Sequence, residues 1–374
     1  MPEDSSSSKY DVIIVGGGPA GSTAGYLLSN FGFNVVIIDK NNFPRRKLCG
    51  GLITYKNLKL LNRIFDETES SLRKKHILNF QSDHYEVFYK NKLMVKNSLD
   101  TPFYFVDRQI YDSFLLEKAK EAGTEVIEGE EVKAFNFNLS NSEVITSTGR
   151  ILKAKFIVGA DGASSITRKE LFLKDKIATH KWQHNLATAL EVFIDRAEIR
   201  ETVDHPIIFF GFVNWGYSWI FPNKDRLIVG LGGLNRANKN NFLYLFRNFL
   251  SLSVLNLNQG RTSKIAAHPV PAGNFLLRPV LKNAVLVGDA AGFVDPVTGE
   301  GIFYAQRSAE LASWAIRKSV HNNENLETSY LQLLRKYVYP ELEYAKRVRW
   351  LIFVCFNKLH CYPMKILLKN IIER

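Results

Sequence analysis

Residues 10–39 read YDVIIVGGGPAGSTAGYLLSNFGFNVVIID, and this stretch decides the fold. Its first part, Tyr10 to Val15, is a short β-branched run typical of a buried parallel strand. A G-x-G-x-x-G turn and a predicted helix follow, and then a second apolar strand, Asn34 to Ile38. This order of strand, glycine turn, helix and strand predicts a Rossmann-like unit at the start of an α/β protein.

The glycines of the turn have separate physical roles. Gly16 permits the tight turn, Gly18 lets the backbone approach a pyrophosphate, and Gly21 lets the helix pack on the strand. Free N–H groups at the start of the helix then point at the phosphates. Asp39 follows Gly18 by 21 residues and is suited to hydrogen-bond a ribose hydroxyl. The segment therefore predicts binding of a dinucleotide, and the ordered set argues against a plain structural turn.

Two later segments carry a similar strand-to-loop signal. Residues 156–168 read FIVGADGASSITR, an apolar strand that runs into Asp161 and Gly162. Residues 284–300 read AVLVGDAAGFVDPVTGE, after which Gly301 opens a predicted helix. The predicted apolar face of that helix, at three- and four-residue steps, consists of Ile302, Ala305, Ala309, Ala312 and Ile316.

Together these segments resemble the FAD-dependent oxidoreductases of the p-hydroxybenzoate hydroxylase type, which pair the N-terminal glycine motif with G-A-D-G and G-D-A-A segments. The resemblance implies FAD as cofactor, with Asp289 at the ribitol, Pro296 to Ile302 facing the flavin ring, and Arg108 near the flavin and pyrophosphate. Amide groups at a helix N-terminus also favour the negative charge of reduced flavin. The residues predicted to bind the cofactor are Gly16, Gly18, Pro19, Ala20, Gly21, Asp39, Lys40, Arg108, Asp161, Gly162, Gly288, Asp289, Pro296, Gly299, Glu300, Gly301 and Ile302.

Two further segments narrow the resemblance. Residues 44–51 read PRRKLCGG, and residues 217–222 read YSWIFP with three glycines downstream. They resemble the P-x-x-K-x-C-G-G and Y-x-W-x-F-P stretches of the geranylgeranyl reductase family. This resemblance covers residues 10–320 and implies an enzyme of the class acting on CH–CH bonds, which saturates C=C bonds of an isoprenoid or other apolar lipid with hydride from reduced FAD.

Three residues of these segments are predicted to act at the reacting bond. Cys49, flanked by glycines, is expected at the flavin, although a small buried hydrophobe is the alternative interpretation. Tyr217 and Trp219 occupy alternate positions and are expected to wall an apolar tunnel from one face of a strand. Ordinary core packing is the alternative for this aromatic pair.

The middle of the chain predicts a second lobe, because residues 77–105 and 187–234 show alternating and aromatic strand patterns. The predicted fold class is α/β (mixed α+β), with a Rossmann-like FAD-binding domain, an interleaved antiparallel β-sheet substrate domain and a C-terminal helical segment. The predicted boundaries are a disordered tail at 1–9, FAD-binding segments at 10–70, 101–175 and 271–330, substrate segments at 71–100 and 176–270, and a helical region at 331–374.

Composition and charge limit the classes of partner. The 374 residues carry a formal net charge of +12 and are 46% hydrophobic. The basic residues are spread widely, without a zinc-finger spacing or RRM signature, which argues against nucleic acid and leaves an anionic membrane or polyanionic substrate. The longest apolar runs, of about seven residues, fall short of the roughly 20 that span a bilayer. Three scattered cysteines and a polar N-terminus without an apolar signal region predict a cytoplasmic location.

The C-terminal stretch from Lys346 to Arg374 mixes apolar and basic residues. Two interpretations stay open: a helical cap on the substrate lobe, and a cationic surface peripheral on the cytoplasmic face of an anionic membrane. His180 and His184 stand four apart without a carboxylate cluster, so no metal site is predicted. No second G-x-G-x-x-G occurs, so the electron donor, NAD(P)H or ferredoxin, is expected to visit transiently.

Other functions remain compatible with the FAD motifs. An FAD-dependent monooxygenase that hydroxylates its substrate shares all of them, and a non-catalytic lipid-binding flavoprotein would show the same apolar tunnel. A flavin-dependent halogenase is disfavoured because its W-x-W-x-I-P stretch is missing. A quinone oxidoreductase with an iron–sulfur cluster is disfavoured because three scattered cysteines do not provide four ligands.

Overall fold

The computed structural model describes residues 9–138, 141–171, 182–183, 185–199, 202–239, 241–252 and 264–354. The strands are β1 (Lys9–Val15), β2 (Val35–Asp39), β3 (Leu52–Ile53), β4 (Leu78–Tyr89), β5 (Lys92–Val106), β6 (Glu125–Glu128), β7 (Val132–Asn136), β8 (Ser142–Thr146), β9 (Ile151–Gly159), β10 (Ala187–Asp195), β11 (Ile207–Phe210), β12 (Gly216–Pro222), β13 (Arg226–Leu234), β14 (Ala266–Val270), β15 (Val280–Leu281) and β16 (Ala284–Leu286). The helices are α1 (Pro19–Asn30), α2 (Tyr55–Phe65), α3 (Glu69–Lys74), α4 (Arg108–Glu121), α5 (Ile166–Leu171), α6 (Asn235–Asn238), α7 (Phe242–Leu252), α8 (Ile302–His321), α9 (Leu326–Tyr337) and α10 (Tyr339–Val354).

The first sheet has the strand order β15-β16-β9-β1-β2-β6, with β7 and β8 joined to β9 as an antiparallel extension. Strands β16, β9, β1, β2 and β6 run parallel. Since parallel strands of this kind are covered on both faces, they need continuous apolar sequence, and all five residues of β2 are buried. The three segments with glycine and aspartate signals follow β1, β9 and β16, so their loops meet at one edge of this sheet.

The second sheet has the order β14-β10-β13-β12-β11-β4-β5-β3. All its pairings are antiparallel except that of β11 with β4, which is parallel. Its strands come from residues 52–106 and 187–270, and thus from two stretches separated by much of the first sheet. The α/β fold class with an interleaved second sheet, predicted from the sequence, is confirmed. The domain boundaries stay a prediction, and the short strand at 52–53 pairs within the second sheet although the sequence placed it with the FAD-binding segments.

Helix α8 connects the layers. The five residues of its predicted apolar face are all buried, and the helix packs on α1, α2 and α9. On the same helix, Gln306 is fully buried and accepts hydrogen bonds at Oε1 from Tyr111 of α4 and Asn57 of α2, each at 2.9 Å. A buried side-chain amide is tolerated only when it is satisfied in this way. The network fixes three helices around the first turn of α8, which borders the cavity described below.

Three predictions fall partly or wholly outside the described residues. His180 and His184 lie outside the described residues, as do residues 355–374 of the C-terminal stretch and residues 1–8 of the predicted tail. Within the described ranges, no helix combines the length and the apolar character needed to cross a bilayer.

Candidate flavin site and apolar arm

A cavity of about 880 Å³ lies between the two sheets. Its volume is near the upper end of the roughly 300–1,000 Å³ usual for ligand sites. Of the residues predicted to bind the cofactor, all but Gly21 and Gly288 line it. Loops that follow β1, β9 and β16 thus converge on one space, as their sequence signals predicted. The assignment of each residue to FAD stays a prediction.

Gly21 and Gly288 do not line the cavity, but they allow the elements around it to pack closely. A Cβ atom on Gly21 would lie 1.8 Å from the carbonyl oxygen of Gly16, so a side chain there is incompatible with the contact between α1 and the turn. A Cβ atom on Gly288 would lie 3.2 Å from Ala305 and 3.3 Å from Ala20, and the Gly288 backbone φ is +56°. Both glycines therefore permit close packing of the elements that shape the cavity.

The turn after β1 fits a pyrophosphate. Gly16 has a φ of +101°, a conformation that favours glycine. Pro19 is the first residue of α1, a position at which its missing backbone N–H costs no hydrogen bond within the helix. A Cβ atom on Gly18 would meet only the Arg45 guanidinium, at 3.3 Å, so open space and a cation face this glycine. Helix N-terminal amides and an adjacent arginine provide the charge that phosphates need.

Arg108 and Arg45 share one buried anchor. Arg108 donates to both carboxylate oxygens of Asp112, from Nε at 2.7 Å and Nη2 at 2.9 Å. Arg45 Nη2 lies 3.2 Å from Asp112 Oδ2, and the Asp112 side chain is fully buried. Because one carboxylate serves two guanidiniums, a positive charge remains at the cavity wall. Sequence analysis missed Arg45, although it stands within the quoted PRRKLCGG segment.

The carboxylates of Asp39 and Asp161 take part in their own loops. Asp39 accepts hydrogen bonds from the Gly17 amide at 2.7 Å and the Asn41 amide at 2.9 Å, which closes the turn beside the predicted ribose position. Asp161 accepts from the Ser165 hydroxyl at 2.6 Å and the Thr167 amide at 3.0 Å. Burial raises the pKa of Asp161, and these hydrogen bonds oppose that shift. Asp161 therefore shapes its loop, with Gly162 left at a φ of +74°.

Asp289 stands at the junction of the β16 loop and the start of α8. A Cβ atom on Gly301 would lie 3.3 Å from Asp289 Oδ1, so the loop and the helix start approach closely there. Burial raises the pKa of Asp289, and the positive charges of Lys47 and Arg108 act in the opposite direction. This position suits a carboxylate that accepts a hydroxyl of the ribitol chain.

Glu300 is held by protein groups. Its carboxylate accepts from the Thr54 hydroxyl at 2.8 Å and pairs with Lys56 at 2.8 Å. Burial raises the pKa of Glu300, and Lys56 opposes the shift. The side chain thus ties the loop predicted to face the flavin to the start of α2.

Residues 44–51 form a loop that is called the Cys49 loop. It lies between the flavin-binding part of the cavity and the second sheet. Gly51 has a φ of +71°, and a Cβ atom there would lie 2.3 Å from the Val106 carbonyl oxygen. A Cβ atom on Gly50 would lie 2.6 Å from the Phe221 ring. Only glycine fits these two positions, and their close packing holds Cys49 at the cavity with a partly exposed side chain.

Tyr217 and Trp219 line the cavity from the same face of β12, with ring centroids 5.6 Å apart. Tyr217 donates its hydroxyl to the Thr298 carbonyl, which joins the second sheet to the flavin-facing loop. The Trp219 ring lies on β13, where a Cβ atom on Gly230 would come within 2.2 Å of it. The glycines downstream of YSWIFP therefore provide the space for this indole. Burial raises the pKa of Tyr217, so its phenol stays protonated.

Among the ionisable residues of the cavity wall that were not predicted from the sequence are Lys47, Glu191 and His268. Lys47 is hydrogen-bonded to His268 Nε2. Burial lowers the pKa of Lys47 to about 8, with Asp289 opposing, and burial lowers the pKa of His268 to about 3, with Lys47 adding to the shift. His268 is therefore neutral near pH 7. An acid in the middle of the strand sequence ATALEVFID, between the apolar residues Leu190 and Val192, was the available signal for Glu191.

Comparisons with known proteins agree with this arrangement. A family model described as an FAD binding domain matches residues 9–247. The geranylgeranyl diphosphate reductase of Rhodobacter capsulatus is 30% identical over 314 residues, which cover 82% of this chain and 75% of that protein. The chain belongs to the geranylgeranyl reductase family of FAD-binding proteins. The family resemblance and the FAD cofactor predicted from the sequence are confirmed, and this family member is an FAD-dependent oxidoreductase.

One further sequence relative and two solved structures are also similar to this chain. The digeranylgeranylglycerophospholipid reductase of Methanococcus aeolicus is 25% identical over 354 residues, covering 91% of this chain and 86% of that protein. A solved geranylgeranyl bacteriochlorophyll reductase-like protein from Thermoplasma acidophilum has a TM-score of 0.79 at 20% identity and covers 98% and 92% of the two chains. The halogenase PltM, solved with phloroglucinol and FAD, has a TM-score of 0.70 at 18% identity, covering 91% and 76%. These structures share the fold, which carries more than one reaction.

The contact between Gly21 and Gly16 gives a test of the cofactor site. Gly21→Ala should reduce the flavin that copurifies with the protein by about tenfold or more, because the new methyl group displaces α1 from the phosphate turn. The ratio of flavin to protein absorbance measures this directly. Gly17→Ala is the matched control, since its Cβ atom meets its nearest neighbours at 3.4 Å and should be tolerated. A Gly21→Ala protein that is folded by circular dichroism and fully yellow would contradict the assignment.

Proposed function

We propose that this reductase-family protein saturates C=C bonds of an isoprenoid lipid, in a reaction of the class acting on CH–CH bonds. The observation that carries the proposal is the lining of the cavity: the residues predicted to bind FAD, Cys49 and a group of aromatic and aliphatic side chains, called the apolar arm, all line the same space. A long hydrocarbon chain can lie there with one double bond beside the flavin position.

The apolar arm is built by the second sheet and α10. Its walls combine side chains from β5, β11, the turn before β12, β12 and the last turns of α10, namely Phe103, Ile208, Phe210, Trp215, Tyr217, Trp219, Val348 and Phe353. Burial of each methylene group of a bound chain contributes about 0.8 kcal/mol, so an arm of this kind selects for extended apolar ligands. The names of the relatives support an isoprenoid in this role.

Reduction of an unactivated double bond needs a hydride on one carbon and a proton on the other. FAD, held by the residues described above, supplies the hydride when it is bound and reduced. The chain supplies the proton, and the Cys49 thiol is the proposed donor because it lies where the flavin-binding part meets the arm. Arg108 contacts the Cys49 side chain, and its charge stabilises the thiolate that forms. The side chains of Tyr217 and Trp219 hold the hydrocarbon chain of the lipid against the Cys49 loop.

The function is tested with purified protein reduced anaerobically and offered geranylgeranyl diphosphate or a digeranylgeranyl glycerophospholipid. Reoxidation of the flavin by either lipid, with products heavier by two hydrogens per reduced bond in mass spectrometry, is the expected result. A hydroxylated product formed only in air would instead assign the protein to the monooxygenases. Absence of any reaction, together with tight lipid binding, would favour a non-catalytic lipid-binding flavoprotein.

The role of Cys49 has its own test. Cys49→Ala should lower lipid-reducing turnover by about 10²-fold, the usual contribution of a positioned proton donor, while FAD binding stays unchanged. Turnover and flavin content are measured on the same preparation. Cys49→Ser, which keeps a donor of similar size, should retain part of the activity. Full turnover by the alanine protein would remove Cys49 from the reacting bond.

We also propose that α10 rests on an anionic membrane, so that lipids reach the apolar arm without crossing water. One face of α10 lines the arm through Ala345, Val348 and Phe353. The remaining surface of α10 exposes apolar and basic side chains side by side: Lys346, Arg347, Trp350 and Leu351. Such a mixture suits the headgroup region of an anionic bilayer.

Trp350 tests this membrane contact, because 60% of it is exposed on α10. Trp350→Ala should weaken binding to vesicles that contain anionic lipid by about tenfold, through loss of buried aromatic surface. Vesicle co-sedimentation measures the effect. Trp314→Ala is the matched control, since Trp314 is 40% exposed on α8, away from α10, and packs on Phe31. Equal vesicle binding by both variants and the parent protein would count against docking through α10.

A further inference from the structure

Glu191 is an acidic side chain of the cavity wall that stands next to the Cys49 loop. It lies in the middle of β10, where its neighbours Leu190 and Val192 are buried, and only 2% of Glu191 is exposed. A carboxylate is among the side chains most seldom buried without a partner. Its position therefore calls for a chemical explanation, and no step described so far uses it.

The contacts of Glu191 act in opposite directions on its ionisation: the Cys49 amide favours the carboxylate, whereas the unpartnered oxygen favours the neutral acid. Its carboxylate accepts a hydrogen bond from the backbone N–H of Cys49. The Oε2 atom is shielded from solvent and has no hydrogen-bond partner among the residues that the structure describes. An ionised carboxylate would lose the hydration of this oxygen without compensation, whereas a carboxylic acid loses far less.

Burial and the nearby positive charges together set the pKa of Glu191 near neutral pH. Burial raises the pKa of Glu191 to about 7, and the positive charges of Lys47 and Arg108 oppose the shift. The neighbouring strands β13 and β14 place Gly230 and Ala266 opposite it. Ionisable groups around it come from the loop, α4, β12 and β14: Lys47, Cys49, Arg108, Tyr217 and, behind Lys47, His268. An acid of this kind both holds and releases a proton under ordinary conditions.

We propose that Glu191 is the proton reservoir of the site, which replaces the proton that the Cys49 thiol gives to the double bond. The inference rests on the proposed alkene reduction. A C–H bond forms as the S–H bond of Cys49 breaks; the S–H bond then forms again as the O–H bond of Glu191 breaks, and the carboxylate recovers a proton from solvent. The hydride and both electrons come from reduced FAD, which a nicotinamide or ferredoxin donor reduces.

The placement suits this order of transfers. Glu191 is bound to the amide of the same residue whose thiol it serves, and Sγ is three covalent bonds from that nitrogen. Arg108 contacts the Cys49 side chain and so stabilises the thiolate until the proton arrives. Glu191 acts through Cys49 and is a positioning residue for the proton.

The first test does not depend on turnover. In oxidised protein with Cys355→Ser and Cys361→Ser, the rate of Cys49 alkylation by iodoacetamide is measured from about pH 5.5 to 9. Ionisation of Glu191 disfavours the nearby thiolate, so the logarithm of the rate should show a break near pH 7, where the pKa of Glu191 lies. Glu191→Gln should abolish the break and Glu191→Asp should keep it. An unchanged break in the glutamine variant overturns the inference.

The second test separates a reservoir from a structural role. In Glu191→Gln, the first reduction by pre-reduced protein should proceed within about twofold of the parent rate, because Cys49 already carries its proton. Continuous turnover should fall by about tenfold or more. It should also lose the decline that the parent shows as pH rises through about 7, where Glu191 loses its proton. Equal slowing of first and later turnovers would indicate structural damage and contradict the inference.

A failure of the proposed function can be distinguished from a failure of the role inferred for Glu191. If the parent protein reduces no lipid, the proposed function is wrong, and the alkylation profile still decides whether Glu191 controls the protonation of Cys49. Glu191→Gln keeps the shape of the side chain and removes a buried group that must ionise at alkaline pH. We therefore expect its thermal midpoint at about pH 8 to equal or exceed that of the parent, which shows that the variant is folded.

Discussion

The contact between α1 and the glycine turn is the constraint on which the rest of the site depends. Because Gly21 has no side chain, the helix meets the Gly16 carbonyl at a distance that excludes even a methyl group. The N-terminus of α1 is thereby held at the end of β1, beside the loops that leave β9 and β16. Once these three strands lie parallel, their following loops share one edge, and the residues predicted to bind FAD come together although they are far apart in the sequence.

Much of this arrangement follows from local sequence. The continuous apolar runs of β1 and β2 require burial on both faces, and the spacing on α8 requires one buried stripe; both requirements are visible in the sequence. Glycines mark the turns because backbone angles such as the φ of +101° at Gly16 exclude most other residues. Signals of this kind depend on a few neighbouring residues, so they can be recognised without knowing the tertiary structure.

Other features depend on contacts between segments that are far apart in the chain, and such contacts cannot be predicted from the pattern of a single sequence. Arg45 and Arg108 meet at Asp112, and Lys47 meets His268 across 221 positions. Asp161 and Glu300 stand in the expected segments, yet their carboxylates are satisfied by neighbouring loops. Sequence position therefore identified the right loops, while the direction of each side chain followed from hydrogen bonds that form only after the two sheets have packed.

The cavity joins two environments with opposite requirements. Phosphates and a reducible ring need cations and amides, whereas a hydrocarbon chain needs a wall without unsatisfied polar atoms. The boundary between them is the Cys49 loop, where Gly50 and Gly51 lie against Phe221 and the Val106 carbonyl. Such packing lets a thiol, an arginine and a buried acid stand beside an apolar arm. In this low dielectric, a proton moves between acids only along groups already in contact, which makes the loop geometry part of the chemistry.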